Sequence, residues 1–445
     1  MPNLPLRLLV LGLALAGASA QQRALVDISG STAACQDARV SPDGQFVAYR
    51  VGNSLASVRI SGGAQISLLS SQALGNFVWA PSSGSLYAVE GNNVLALPRA
   101  GGGGVVLASV PGQSVWVWDV DGANTFVYGT RYDPATRRYH VFRLPTLGGQ
   151  PHQDLFDSQD ELSGLRIDLS STYMLFLQRA PVPFAPHTLM RAQLDGSNPV
   201  DMLGAPVGVV AQGPDWIDAG DRAVLVTATT QGSLQLLRVD RVRRVAEPLT
   251  WAFVHQRPTV SPDGAWIVME AVDGVGGNGP AILPVEGGGE VFLFTGERFE
   301  YAGSAGLDAV GGAVVFSARR VRLPNEQARV FKAELDGELR VWPRAELGQV
   351  VNFDLPCPAG WFGGVLLGLR SPPLLLSGIV YDYDLGPNFA ILGLGAGGGT
   401  TPLRTTLPIP NIAALQGLTV DFQGLRWDPV AQAGEWTRSG RLPIF

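Results

Sequence analysis

Four histidines, His140, His152, His187 and His255, are the only imidazoles in the 445-residue chain, and no two of them stand at the close spacing of a metal-ligand pair. Asp119, Asp121 and Asn124 match part of a calcium loop, as do Asp382 and Asp384, but neither run carries the glycine and distal glutamate of a full loop. Both read as turn or strand carboxylates. Gly393, Gly395 and Gly398 give GxGxxG after the strand FAIL, yet Pro402, Pro408 and Pro410 follow where a phosphate-binding helix would start. A nucleophile elbow of the GxSxG type is missing. No metal, no cofactor and no catalytic group is expected on these grounds.

Arginine and aromatic side chains offer a different chemistry. Four segments, RYDPATRRY, QRAPVPFAPH, AVDGVGGNGP and ARRVRLPNEQA, are longer than the turns around them. They carry Arg131, Tyr132, Arg137, Arg138, Tyr139, Arg179, Phe184, His187, Arg319, Arg320 and Arg322 in a chain that is acidic overall. Guanidinium groups bind carboxylates in a bidentate fork and aromatic rings supply contact area, so these residues form the expected ligand surface. Its ligand would be a protein or an acidic glycan. The plain alternative is a set of solvated loops.

The elements that must position these loops are repeats. SPDGQFVAYR at Ser41 returns as SPDGAWIVME at Ser261, and weaker copies lie between and after them: PSSGS before LYAVE, DVDGAN before TFVYGT, DLSST before YMLFLQ, DAGDR before AVLVTA, DAVGG before AVVFSA. Each turn joins two short apolar strands, and each such hairpin is followed by a second, as in LASVRISGGAQISLL and RVFKAELDGELRVWP. Two hairpins make a four-stranded sheet, and a repeat of about 40 to 50 residues with four strands predicts a propeller blade. The expectation is an all-β chain with a seven-bladed β-propeller, six or eight blades being the alternatives. Arg23 to Ser29 is expected to close the ring by pairing into the last blade. Trp79, Trp118 and Trp216 end first strands of blades and are expected to pack between blades.

The strand, SPDG, strand, hairpin pattern resembles the WD40-like (PD40) repeat of TolB-like propellers, shared by exported bacterial proteins and the propeller halves of prolyl-oligopeptidase-like enzymes. Ser41 and Ser261 begin the two close matches, and the likeness covers about three quarters of the chain. It implies a ring over residues 21–348. Residues 349–445 break the two-hairpin pattern and read as a small C-terminal β-sandwich, with an extra blade as the alternative.

Met1 to Ala20 has Arg7, an apolar run from Leu8 to Ala16 and the small-residue pattern Ala18-Ser19-Ala20 of a cleaved signal, so a periplasmic or secreted location is expected. Losing Arg7 takes the formal charge from -6 to -7, which speaks against nucleic acid. No run is long enough to span a membrane, and a monomer is expected. In an oxidising compartment, Cys35 before blade one and Cys357 after the last blade would adjoin at the ring seam, where a disulfide is expected. The favoured function is an exported, non-catalytic binding or scaffold protein; the alternative is a propeller enzyme such as a polysaccharide lyase or glycosidase.

Overall fold

The computed structural model describes residues 25–110, 113–168, 170–228, 234–250, 256–261, 264–272, 278–293, 299–301, 307–310, 313–321, 327–335, 338–342, 345–370, 374–376, 379–381, 385–416, 418–431, 433–438 and 440–445. They are almost entirely strand, with a short 3-10 turn at Ala413–Leu415 and no α-helix among the described residues. No helix there is long and apolar enough to cross a membrane. The signal-like segment lies outside the described residues.

Contacts divide the chain into two units, one of Val26–Glu270 with Phe299–Lys332 and the other containing Ala271–Arg298 and Ala333–Phe445. In the first unit, five four-stranded antiparallel sheets follow one another along the chain. Blade one has strands Cys35–Val40, Phe46–Val51, Ser54–Arg59 and Ile66–Ser70; blade two has Leu74–Trp79, Ser85–Glu90, Asn93–Pro98 and Val105–Ser109. Blade three has Gln113–Val120, Phe126–Asp133, Arg138–Pro145 and Gln153–Ser158. Blade four has Glu161–Ile167, Tyr173–Arg179, His187–Gln193 and Val200–Asp201, and blade five has Val210–Trp216, Arg222–Ala228, Leu234–Asp240 and Val245–Pro248. The hairpin of Gln256–Val260 with Trp266–Val272 comes next.

A closing sheet holds Leu307–Val310, Ala313–Arg320 and Arg329–Glu334, and the N-terminal strand Val26–Asp27 pairs onto it through Val26↔Lys332 and Asp27↔Phe331. The expected pairing of the first residues into the last sheet is therefore present. One sheet cannot bury both faces alone, so each shares an apolar cluster with the next. Phe46 and Leu55 meet Phe77 and Leu86 between blades one and two; Tyr128 and Val141 meet Met174 and Phe176 between three and four. Tyr49 and Val58 meet Val315 and Val330, which joins blade one to the closing sheet.

Turn chemistry explains why the repeat tolerates divergence. The first residue of the turn must accept the N–H five residues on, where the second strand begins. Ser41 Oγ accepts Phe46 N–H at 2.9 Å and Ser261 Oγ accepts Trp266 N–H at 2.9 Å. In blades three and four a carboxylate replaces the hydroxyl: Asp121 Oδ1 accepts Phe126 N–H at 2.9 Å, and Asp168 Oδ1 accepts Tyr173 N–H at 2.7 Å. These residues are turn formers, as the sequence suggests.

The second unit does not begin at residue 349. Its strand Glu290–Phe292 would leave a bare edge, and the C-terminal strand Gly440–Pro443 covers it through Glu290↔Arg441 and Val291↔Gly440. Thr419–Asp428, Phe362–Arg370 and Leu385–Ala396 extend that sheet, and Arg340–Trp342, Val350–Leu355 and Leu403–Pro408 form another. Side chains from the two sheets meet, with the Phe353 and Phe422 rings edge to face at 5.8 Å.

The GxGxxG glycines belong to this packing. A Cβ on Gly393 would lie 2.5 Å from Thr405 Oγ1, and one on Gly395 would lie 2.5 Å from Leu403 Cδ1. Gly393→Ala is expected to destabilise the protein by about 1–3 kcal/mol through overpacking. Gly398→Ala, whose Cβ would meet Thr401 O at 3.3 Å, is expected to cost clearly less. Equal losses in urea unfolding would refute the packing explanation.

Both cysteines are free and buried, which corrects the expected disulfide. Cys35 packs as a small apolar group beside Ile28, Ala38 and Tyr49, and its thiol donates to Ala33 O at 3.4 Å. Burial pushes that thiol up to about 11 and also raises Cys357, so neither is held as a reactive thiolate. Each thiol lies in a different unit.

Candidate functional site

Blades three and four bring together part of the expected surface. Tyr132 and Tyr139 are register partners at the loop end of blade three, their rings tilted at 45° with centroids 4.8 Å apart. Glu161 and Arg179 are register partners at the loop end of blade four, and they form an ion pair. Partial burial raises the pKa of the Tyr139 phenol, and the Glu161 charge adds to the effect.

His187 is register partner to Arg179 and is buried. Its Nδ1 accepts Val210 N–H at 3.0 Å, and its backbone N–H donates to Gly208 O at 2.7 Å, so it ties blade four to blade five. Burial, reinforced by the Arg179 charge, lowers its pKa. The imidazole is held neutral with Nδ1 committed to the fold.

Phe184 stands in the connection between Tyr173–Arg179 and His187–Gln193. It is 84% exposed and adopts φ 59°. Pro181, Pro183 and Pro186 stiffen that connection, and Ala185 N–H closes a turn onto Val182 O at 3.2 Å. Val182 is also exposed.

Other expected residues lie elsewhere. Arg131 points to the opposite sheet face from Tyr132 and forks onto Asp154, with Nη2 to Oδ2 at 2.6 Å and Nε to Oδ1 at 3.2 Å. His140 Nδ1 lies 3.4 Å and His152 Nε2 lies 3.7 Å from the same carboxylate. Burial lowers the His152 pKa against the pull of Asp154. With Asp154 engaged by Arg131, these imidazoles flank a neutralised carboxylate; no three His, Cys, Asp or Glu among the described residues are grouped to hold a metal.

Arg138 pairs with Asp157, and Arg319 pairs with Glu300. The Arg320 guanidinium lies 4.9 Å from the Phe331 ring centroid. Arg137, at φ 57° on the hairpin tip, is exposed. Arg322 and His255 fall outside the described residues, as do Asp382 and Asp384.

The acids that neutralise these arginines were missed in the sequence reading. Their signal is register: Glu161 faces Arg179 and Glu300 faces Arg319 directly across a hairpin, which counting outward from the turns would find. The tryptophans behave as expected of packing residues. Trp79 Nε1–H donates to Arg39 O at 3.0 Å and Trp216 Nε1–H to Arg166 O at 3.1 Å, each reaching the preceding blade. Trp118 Nε1–H donates to Thr130 Oγ1 at 2.7 Å within its own blade.

No family model matches the chain, and no curated protein matches it. Among solved structures it is similar to an oligogalacturonate lyase from Vibrio parahaemolyticus, with TM-score 0.54 and 12% identity over 71% of this chain and 94% of that one. A puromycin-hydrolyzing peptidase from Mycobacterium tuberculosis gives TM-score 0.53 and 14% identity over 74% of this chain and 59% of that one. TolB from Acinetobacter baumannii superposes at TM-score 0.39 and 12% identity, covering 68% and 80%, too loosely to carry an argument. At such identities the likeness is one of fold, and the fold is an all-β propeller.

Proposed function

We propose that this chain is an exported, non-catalytic binding protein that captures a protein partner on the loop end of blades three and four of a seven-bladed ring. Export rests on the signal-like composition of residues 1–20. The seven-blade reading is supported by the succession of inner strands, in which Leu307–Val310 packs back against Cys35–Val40.

The observation that carries the binding reading is Phe184. A positive φ costs a bulky residue on the order of 1 kcal/mol or more, and full exposure forgoes the burial that normally holds an aromatic in place. Three prolines nonetheless fix this ring outward beside Val182. A rigid exposed aromatic is the usual anchor of an interface. At the loop ends of the same two blades, Tyr132, Tyr139 and the Glu161–Arg179 pair add a surface whose charges already cancel, which suits a neutral or mixed protein surface better than a strongly acidic ligand.

Phe184→Ala is expected to weaken capture of the partner from envelope extract by at least about tenfold, in line with loss of an anchoring aromatic. Stability should be nearly unchanged, because Phe184 buries little and alanine keeps the Cβ that sets the cost of the positive φ. Undiminished capture by the variant would refute the assignment.

A further inference from the structure

The innermost strand of every blade is an edge strand, so half of its N–H groups face the central channel rather than a neighbouring strand. Asp121 and Phe126, Asp168 and Tyr173, Ile217 and Arg222, and Ser261 and Trp266 are joined by ladder bonds. The preceding pairs, Val120↔Val127, Ile167↔Met174, Trp216↔Ala223 and Val260↔Ile267, are therefore non-hydrogen-bonded pairs. Their inner N–H groups must find other acceptors.

Two carboxylates supply them. Asp119 accepts Val120 N–H at 2.9 Å from its own strand and Ile167 N–H at 2.9 Å from blade four. Asp215 repeats the arrangement, accepting Trp216 N–H at 3.0 Å and Val260 N–H at 2.8 Å from the next hairpin. Both occupy the place two before the turn, shared by Arg39, Val78, Arg166 and Thr259. All six positions are partly exposed and adjoin a buried residue, as expected of side chains lining a channel. Arg166, between the two acids, donates to Trp118 O at 3.2 Å and places Nε 3.8 Å from Asp215 Oδ1.

We infer that Asp119 is the positioning residue of the binding surface, clasping blades three and four at the channel so that the Tyr132–Tyr139 pair and the Glu161–Arg179 pair stay side by side at the loop end of the same seam. This rests on the binding reading only for the meaning of that surface. Asp215 is the comparison, accepting the same two kinds of N–H at the next seam but one and adding an ion pair to Arg166. Asparagine keeps one acceptor oxygen but turns an NH2 toward the other N–H, so Asp119→Asn opens one half of the clasp.

Amide hydrogen exchange of the full chain, with no partner present, tests the inference. Asp119→Asn is expected to speed exchange of the Ile167 amide at least about tenfold, and to speed amides of residues 132–139 and 161–179 near the loop end. Asp215→Asn should speed Val260 and leave those loop-end amides unchanged. An unaltered Ile167 amide in Asp119→Asn, or equal loop-end effects of both variants, would overturn it. Should Asp119→Asn not fold, the wild-type chain still decides: the Ile167 and Val260 amides should exchange as slowly as ladder amides of the middle strands, and loop-like exchange there would overturn the clasp. Because no partner is present, failure here is distinct from undiminished capture by Phe184→Ala.

Discussion

Replacing Asp168 with alanine is expected to lower stability by about 3 kcal/mol, since hydrogen bonds to a charged acceptor are worth roughly 1.5–3 kcal/mol each and the exposed half of the turn recovers water. Asp168 is 2% exposed, and its carboxylate accepts Thr172 N–H at 2.8 Å and Tyr173 N–H at 2.7 Å. Asp168→Ser is expected to cost only about 1 kcal/mol. Serine holds the equivalent place at Ser41 and Ser261 and accepts the N–H five residues on with its hydroxyl. Urea unfolding followed by tryptophan fluorescence distinguishes the two variants. A serine variant as damaged as the alanine one would contradict the equivalence of the turns.

A comparable loss is expected in the other unit. Glu338 and Arg438 are buried together: Nη1 lies 2.8 Å from Oε1, Oε2 accepts Arg438 N–H at 2.9 Å, and Nη1 also donates to Glu334 O at 2.6 Å. Arg438→Met or Glu338→Leu alone leaves a charge buried without its partner and is expected to cost about 3–5 kcal/mol. The double variant should cost markedly less than the sum of the two. Additive losses in a double-mutant cycle would show that the residues do not act as a pair.

The propeller was legible because its physics repeats. Each unit must turn sharply and start a strand, and a hydroxyl or carboxylate followed by Asp or Gly does this in few ways, so SPDG and its variants DVDGAN and DLSST remain visible. The start of the second unit was not legible. It depends on the last strand, Gly440–Pro443, finding the edge of Glu290–Phe292 some 150 residues earlier, and no local pattern records a partner at that separation.

The surface was half legible. Long loops marked Tyr132 and Tyr139, which pair across a hairpin of blade three, and Arg179 and Phe184, which belong to blade four. The arginine charges misled, because Asp154, Asp157 and Glu161 cancel them from facing strands. Asp119 looked like a fragment of a calcium loop, yet its role depends on an N–H of the next blade, at Ile167.

The proposed docking of a partner on the loop end of blades three and four can be read out residue by residue. Hydrogen-exchange footprinting of the chain with its captured partner tests this docking. Protection is expected to be confined to residues 132–139 and 178–187. Protection on blades one and two, with those two segments exchanging as in the free chain, would contradict it.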